Sequence, residues 1–161
     1  MIDIIPFNPL HLRHIDLQDD QRGAEDWLEN EHYQQLLMAG DARTALYKGR
    51  IVVCAGVFPM TDWIGRVWAL VSKDIGRELL PASRAITDFL KKSSYARLET
   101  PVRRDFSNGH RWCKLLGFVN ETPEQGMKNY GHDGQTYDLY AFFPKEPDHG
   151  QIKPFQQTKR Q

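Results

Sequence analysis

RLETPVRRDFSNGHRWCKLLGF, Arg97 to Phe118, is the stretch that decides the fold. Arg97 to Val102 alternates apolar with polar residues, the period of a strand resting one face on a core. A polar, loop-like insert follows, and an amphipathic helix then runs from Asn108 to Leu116. Gly117 stops that helix, as glycine does where a chain must turn left-handed, and Phe118 opens the next strand.

The same pattern extends outward. Upstream, Ile75, Leu79, Ala82, Ile86, Phe89 and Leu90 share one helical face, and Pro81 marks a helix start or a kink. Before them, Arg66 to Val71 is apolar without alternation, as in a central strand covered on both faces. Thr44–Tyr47 and Ile51–Phe58 form a hairpin through Lys48-Gly49-Arg50. Ala24 to Met38 predicts a helix, with Trp27, Leu28, Leu36 and Leu37 as its apolar residues and Gly40 as its cap. Ile2 to Phe7 predicts a first strand and His11 to Asp16 a turn of helix. Downstream, Met127–Tyr130 pairs with Thr136–Phe142 around Gly131-His132-Asp133-Gly134, residues tolerant of positive φ. The order β-α-α-β-β-β-α-β-α-β-β predicts one α/β domain over 1–143, a mixed sheet of about six to seven strands with helices on both faces. From 144 to 161 the chain is rich in Pro, Gln and Lys, and is expected to be an extended or disordered tail that could contact a partner.

Composition narrows the function classes. Lys plus Arg and Asp plus Glu both total 21 in 161 residues, so no net field draws nucleic acid or an anionic membrane. Only Cys54 and Cys113 are present, inside apolar or helical runs, which fits a reducing compartment better than a disulfide scaffold. Met1 to Phe7 lacks the basic start and the apolar run of a secretion signal, and no stretch reaches the length of a membrane span. The expectation is a soluble, cytoplasmic protein.

The strand–helix–LGF order resembles the second half of the GNAT N-acetyltransferase superfamily. Three marks are similar to the GNAT-like proteins of tailed bacteriophages, some of them acetyltransferases and some internal virion proteins. They are Ile64-Gly65-Arg66-Val67-Trp68-Ala69-Leu70, the helix from His110-Arg111-Trp112 to Leu116-Gly117-Phe118, and Tyr130-Gly131-His132-Asp133-Gly134. The resemblance implies a fourth strand that bulges and splays from the fifth, with acetyl-CoA as co-substrate in the opening and an amine as acceptor. Backbone groups of Ala69, Leu70 and Val71 would hold the pantetheine arm. Ile75, Gly76 and Arg77, at the start of the following helix, would receive the pyrophosphate, since helix N-termini attract anions. The family's loop has two small residues behind a basic one; here only Gly76 matches, and Asp74 puts a negative charge in the approach. Where many members carry a Tyr as general acid, this chain has Cys113, and Asn108 lies near the position of a coenzyme-contacting Asn. Glu99, on the strand lining the cleft, would be the general base. The alternative implied by the same resemblance is a catalytically degenerate component inside the virion, or a binder of phage or host proteins through the tail.

Each candidate has a structural reading beside the chemical one. Cys113 could equally pack the helix on the sheet, and Glu99 could face solvent. His110 could contact a phosphate or serve as a cap. His11 and His14 share the spacing of a metal pair, although nothing beyond Asp16 completes a ligand set. Trp63, Trp68 and Trp112 could line an acceptor pocket or belong to the core. Arg103 and Arg104 border the expected cleft and could meet phosphates or an acidic acceptor.

Overall fold

Among the described residues, seven strands join in one sheet, in the order β1-β2-β3-β4-β5-β7-β6. They are β1 (Ile2–Pro6), β2 (Asp41–Tyr47), β3 (Arg50–Pro59), β4 (Ile64–Val71), β5 (Arg97–Arg103), β6 (Val119–Asn120) and β7 (Tyr137–Phe142), with helices α1 (Glu31–Met38), α2 (Leu79–Lys91) and α3 (Ser107–Leu116). The computed structural model describes residues 1–131 and 133–144, without the side chains of Glu25, Trp27 and Leu28. His132 of the expected closing turn and all of the expected tail but Pro144 therefore lie outside the described residues.

All neighbours pair antiparallel except β4 and β5, which run parallel and are joined by the crossover through α2. The β2–β3 turn places Lys48 at φ 49° and Gly49 at φ 74°, the two positive angles that match the twist of a hairpin. On one face of the sheet, Trp68 and Leu70 pack with Phe7, Leu12, Ile15, Leu17 and Leu37. On the other, α2 and α3 bury Val67, Leu90, Leu98, Val102, Cys113, Leu116 and Tyr140. Phe89, Ile86 and Leu79 lie against these layers, so the apolar stripe read from the α2 sequence is the face it buries. Pro81 falls in the first turn of α2, where its missing N–H has no helical partner to lose.

Three expectations are corrected. The helix expected over 24–38 is instead a 3-10 stretch, Asp19–Glu29, followed by α1, because Asn30 breaks in as N-cap and accepts from the amides of His32 and Tyr33. Gly40 does not cap that helix through a left-handed turn; it lets the chain pass close to the carbonyl of Val57, which a Cβ would overlap. The strand expected at Met127–Tyr130 is reduced to a single bridge from Met127 to Tyr137, and Val119–Asn120 supplies the edge strand beside β7.

The sheet is interrupted at the β4–β5 pair. Only Ile64–Arg97, Gly65–Leu98 and Arg66–Glu99 are paired, and beyond them the two strands part. β4 continues against β3 in unbroken register to Val71, so the bulge implied for the fourth strand is absent; the irregularity falls at Ala45/Leu46 in β2. β5 meanwhile follows β7 as far as Arg103. A slot opens between them.

α3 ends as the sequence predicts. Gly117 sits at φ 93°, its amide reaches the Lys114 carbonyl at 3.1 Å, and the Phe118 amide reaches Cys113 at 2.9 Å. Phe118 is thereby turned onto Phe142, ring centroids 5.4 Å apart. Gly117→Ala should cost about 1–2 kcal/mol of unfolding free energy, the strain of a Cβ in left-handed backbone. Urea denaturation should show a lower midpoint at unchanged slope.

Candidate functional site

The slot is built from backbone first. Ser72 donates its amide to Val52 of β3 at 2.8 Å, so by alternation the polar groups of Leu70 also face β3, opposite Cys54. Those of Ala69 and Val71 face the gap. Of the three residues whose backbone was expected to line the opening, Ala69 and Val71 turn their polar groups into the gap and Leu70 points the other way. Opposite them stand Thr100 to Arg103 of β5, with no ladder between.

Three side chains from the segment before α1 lie across this gap. The Gln21 carboxamide donates to the Ala69 carbonyl at 3.0 Å and accepts from the Val71 amide at 2.9 Å. Gln18 donates to the Val71 carbonyl at 3.4 Å and accepts from Asn108 of α3 at 3.3 Å. Asp20 meets Arg103 of β5 at 2.6 Å. The sequence reading missed all three: Gln18 to Gln21 is a short polar run with no periodicity, and only the register of the sheet shows what it reaches.

The slot narrows to its apex at the last paired residues, Arg66 and Glu99, whose side chains form an ion pair at 3.2 Å. Glu99 also accepts from Arg97 at 2.9 Å, and Arg97 binds Glu121 in turn. The Tyr130 hydroxyl accepts from Arg66 at 3.3 Å. Glu99 is thus neither free nor solvent-facing: its side chain is 14% exposed and each oxygen holds one guanidinium. The Glu121 carboxyl lies below the usual range because Arg97 donates to it.

At the far end of the slot the chain turns from β4 into α2. Ile75 and Asp74 fold back on Ser72, and Gly76 adopts φ 51° at the head of the helical run. A Cβ on Gly76 would meet nothing within 4 Å, so this corner is open. Lys73 pairs with Asp16 at 3.1 Å on the surface. Arg77 follows Gly76 in the short 3-10 turn that leads into α2.

The α3 residues behave differently from one another. Asn108 reaches the slot through Gln18, and its carbonyl oxygen accepts from Arg111. Cys113 is 6% exposed, packed in the core, and burial pushes its thiol up to about 12. A thiol so placed keeps its proton at neutral pH and is a weaker acid than a free cysteine. His110 is a half-buried tie. Its Nε2 lies 3.1 and 3.0 Å from the carbonyls of Arg103 and Arg104, so this nitrogen carries the proton and Nδ1 accepts from the Tyr140 hydroxyl at 2.7 Å. Beside it, Asp138 is buried and accepts from Asn120 at 2.9 Å, with Arg104 at 3.5 Å.

The remaining candidates disperse. Trp63 is exposed in the β3–β4 turn, Trp68 meets Phe7 edge-on at 5.1 Å, and Trp112 donates to Ser83 at 2.8 Å, tying α3 to α2. His11 lies 2.8 Å from the Thr44 hydroxyl. Among the described residues no three His, Cys, Asp or Glu side chains are grouped to hold a metal ion, and no helix is long and apolar enough to cross a membrane.

No family model matches the sequence, and no curated protein shows significant similarity to it. Solved structures do match. A GNAT family acetyltransferase from Elizabethkingia anophelis with acetyl-CoA bound is 16% identical, with 88% of this chain and 97% of that one covered and a TM-score of 0.64. The ribosomal-protein-S18-alanine N-acetyltransferase from Escherichia coli is 17% identical over 94% of this chain and 99% of its own, at 0.62. Ard1 from Thermoplasma volcanium is 15% identical over 88% and 97%, at 0.66.

Two outcomes follow from the geometry. Cys54, pushed up to about 11 by burial, and Cys113 should both resist a thiol reagent at neutral pH in the native protein and react together on unfolding. Glu121, held low in the fold, adds stability that is complete above its unfolded value near ~4.3 and is lost as pH falls through its folded value. Urea midpoints should therefore drop as the pH falls below about 4.3, and less steeply in Glu121→Gln. With seven strands in this order and a parted parallel pair at its centre, the chain has the fold of the GNAT acetyltransferases.

Proposed function

We propose that the protein is an acyl-CoA-dependent N-acyltransferase that uses acetyl-CoA to acetylate an amine. One observation carries this reading: beyond Arg66 and Glu99 the inner edge of β4 has no strand partner, which leaves the Ala69 carbonyl and the Val71 amide to serve a ligand. A chain of amides laid along that edge would take the bonds a neighbouring strand takes elsewhere. The open corner at Gly76, heading the helical run into α2, suits the pyrophosphate, with Ile75 and Arg77 on either side. Asn108 lines the far wall within reach of the slot.

Acetyl-CoA would supply the acetyl group as a thioester already activated for attack. The protein's own part is to hold it straight along β4 and to manage the acceptor's proton. Glu99 stands at the apex where the strands meet, and each of its oxygens keeps a lone pair after bonding one arginine. Glu99 or a water beside it would orient the amine and take its proton as the nitrogen attacks the thioester carbon; the C–S bond then breaks, and coenzyme A leaves as a thiolate that takes a proton from solvent. Arg66 and Arg97 keep the carboxylate placed. Cys113, buried behind the sheet, is better suited to packing than to the reprotonation assigned to it by position alone.

A second reading keeps the fold and drops the chemistry: a phage or prophage virion component, or a binder of host proteins. It draws on the sequence resemblance and on the fact that Gln21 already satisfies the β4 edge from within the chain. Calorimetric titration of the full chain with acetyl-CoA separates the two. Binding, with a melting temperature that rises with ligand, supports the transferase, and no heat or shift at millimolar ligand overturns it. Gly76→Glu should abolish binding while Gly76→Ala, which shares its backbone strain, retains most of it; equal affinity in both would remove the pyrophosphate from this corner.

A further inference from the structure

We propose that Asp16–Gln21 is a strap that closes the β4–β5 slot, with the Gln21 carboxamide as its latch. A ligand bearing amides enters the slot only by displacing that latch. This rests on the reading of the slot as an acyl-CoA site, and adds to it a closed state and the means of opening.

A primary carboxamide offers one acceptor and one donor side by side, the pair that a peptide presents to a strand edge. Gln21 uses both, accepting from the Val71 amide at 2.9 Å and donating to the Ala69 carbonyl at 3.0 Å. It stands where the next strand, or a ligand amide, would stand. Gln18 extends the mimicry to the Val71 carbonyl and continues to Asn108 on the other side of the gap. Asp20 binds Arg103 on the β5 wall. The strap therefore laces together two walls that share no ladder at this level.

The same segment is held in a way that allows release. Leu17 and Ala24 are buried, and Leu17 forms a bridge to Ser72. Between these anchors, residues 18 to 23 place no apolar side chain in the core; Gln18 and Gln21 are half-buried and the rest are exposed. What keeps the strap down is a few polar bonds, each of which water or a ligand amide can replace. Such an element opens locally without unfolding the sheet. Its closed population lowers apparent ligand affinity by the fraction of open molecules.

The test is calorimetric titration of the full chain with acetyl-CoA, in wild type, Gln21→Ala and Gln21→Glu, with amide hydrogen exchange at Val71. Loss of the latch should tighten binding by about tenfold. Exchange at Val71, whose amide loses its acceptor, should accelerate in Gln21→Ala without ligand. Gln21→Glu keeps an acceptor for Val71 but sets a carboxylate against the Ala69 carbonyl, so it should fall between. Should Gln21→Ala fail to fold, Gln21→Asn, which withdraws the carboxamide by one methylene, takes its place with the same expected direction. Equal affinity in wild type and variant overturns the strap while leaving the acyl-CoA site intact. Weaker binding by the variant also overturns it, making Gln21 a ligand contact instead. Absence of binding in every form overturns the acyl-CoA reading, and the strap falls with it.

Discussion

The β4–β5 ladder stops after three pairs, and most of what is distinctive in this molecule follows from that stop. Each strand is committed elsewhere, β4 to β3 as far as Val71 and β5 to β7 as far as Arg103. The two halves of the sheet diverge with those partners, and the Arg66–Glu99 ion pair pins the point of divergence. Buried backbone groups cannot be left unpaired without cost, so a gap in the middle of a sheet has to be filled by something. Here the filling is a pair of glutamine side chains. On the proposed reading, a ligand and the sheet's own backbone make opposite demands on the same two residues, Ala69 and Val71.

Charge around the apex is arranged to hold geometry more than to create a field. Arg66, Glu99, Arg97 and Glu121 alternate in sign and sum to zero, in keeping with a chain whose acidic and basic residues balance at 21 each. Their side chains are mostly covered, so removing one member would leave a desolvated charge without its partner. On the opposite face, His110 pairs with the Tyr140 hydroxyl and the carbonyls of Arg103 and Arg104, and the buried Asp138 accepts from Asn120 through one oxygen. Together with Arg104 and Asn120 they tie α3, the end of β5 and the start of β7 into one unit. That unit keeps the β5 wall in place while the β4 wall is held by β3.

Periodicity made the architecture legible because burial repeats along each element. The alternation of Arg97–Val102, the stripe from Ile75 to Leu90 and the Gly117 stop all appear in the structure where the sequence puts them. The failures fell where no period exists. Asn30 divides a run that looked like one helix because a cap depends on a single side chain reaching back to two amides. The edge strand moved to Val119–Asn120 because pairing beside β7 is a contest between segments distant in sequence.

The sequence by itself determined which residues are apolar and at what spacing, and from these the α/β class and most of the strand and helix order; the parted central pair came from the family resemblance. Burial acts locally and repetitively, so a linear reading captures it. Only the tertiary structure decided what occupies the slot, that Leu70 turns its backbone to β3, that Glu99 is bound by two arginines, and that Cys113 is sealed in the core. Several of these depend on contacts between residues far apart in the chain, such as Arg66 with Glu99, 33 positions away, and Gln18 with Asn108, 90 positions away. Hydrogen bonds and ion pairs need atoms to meet at about 3 Å, and only the closed sheet brings these together.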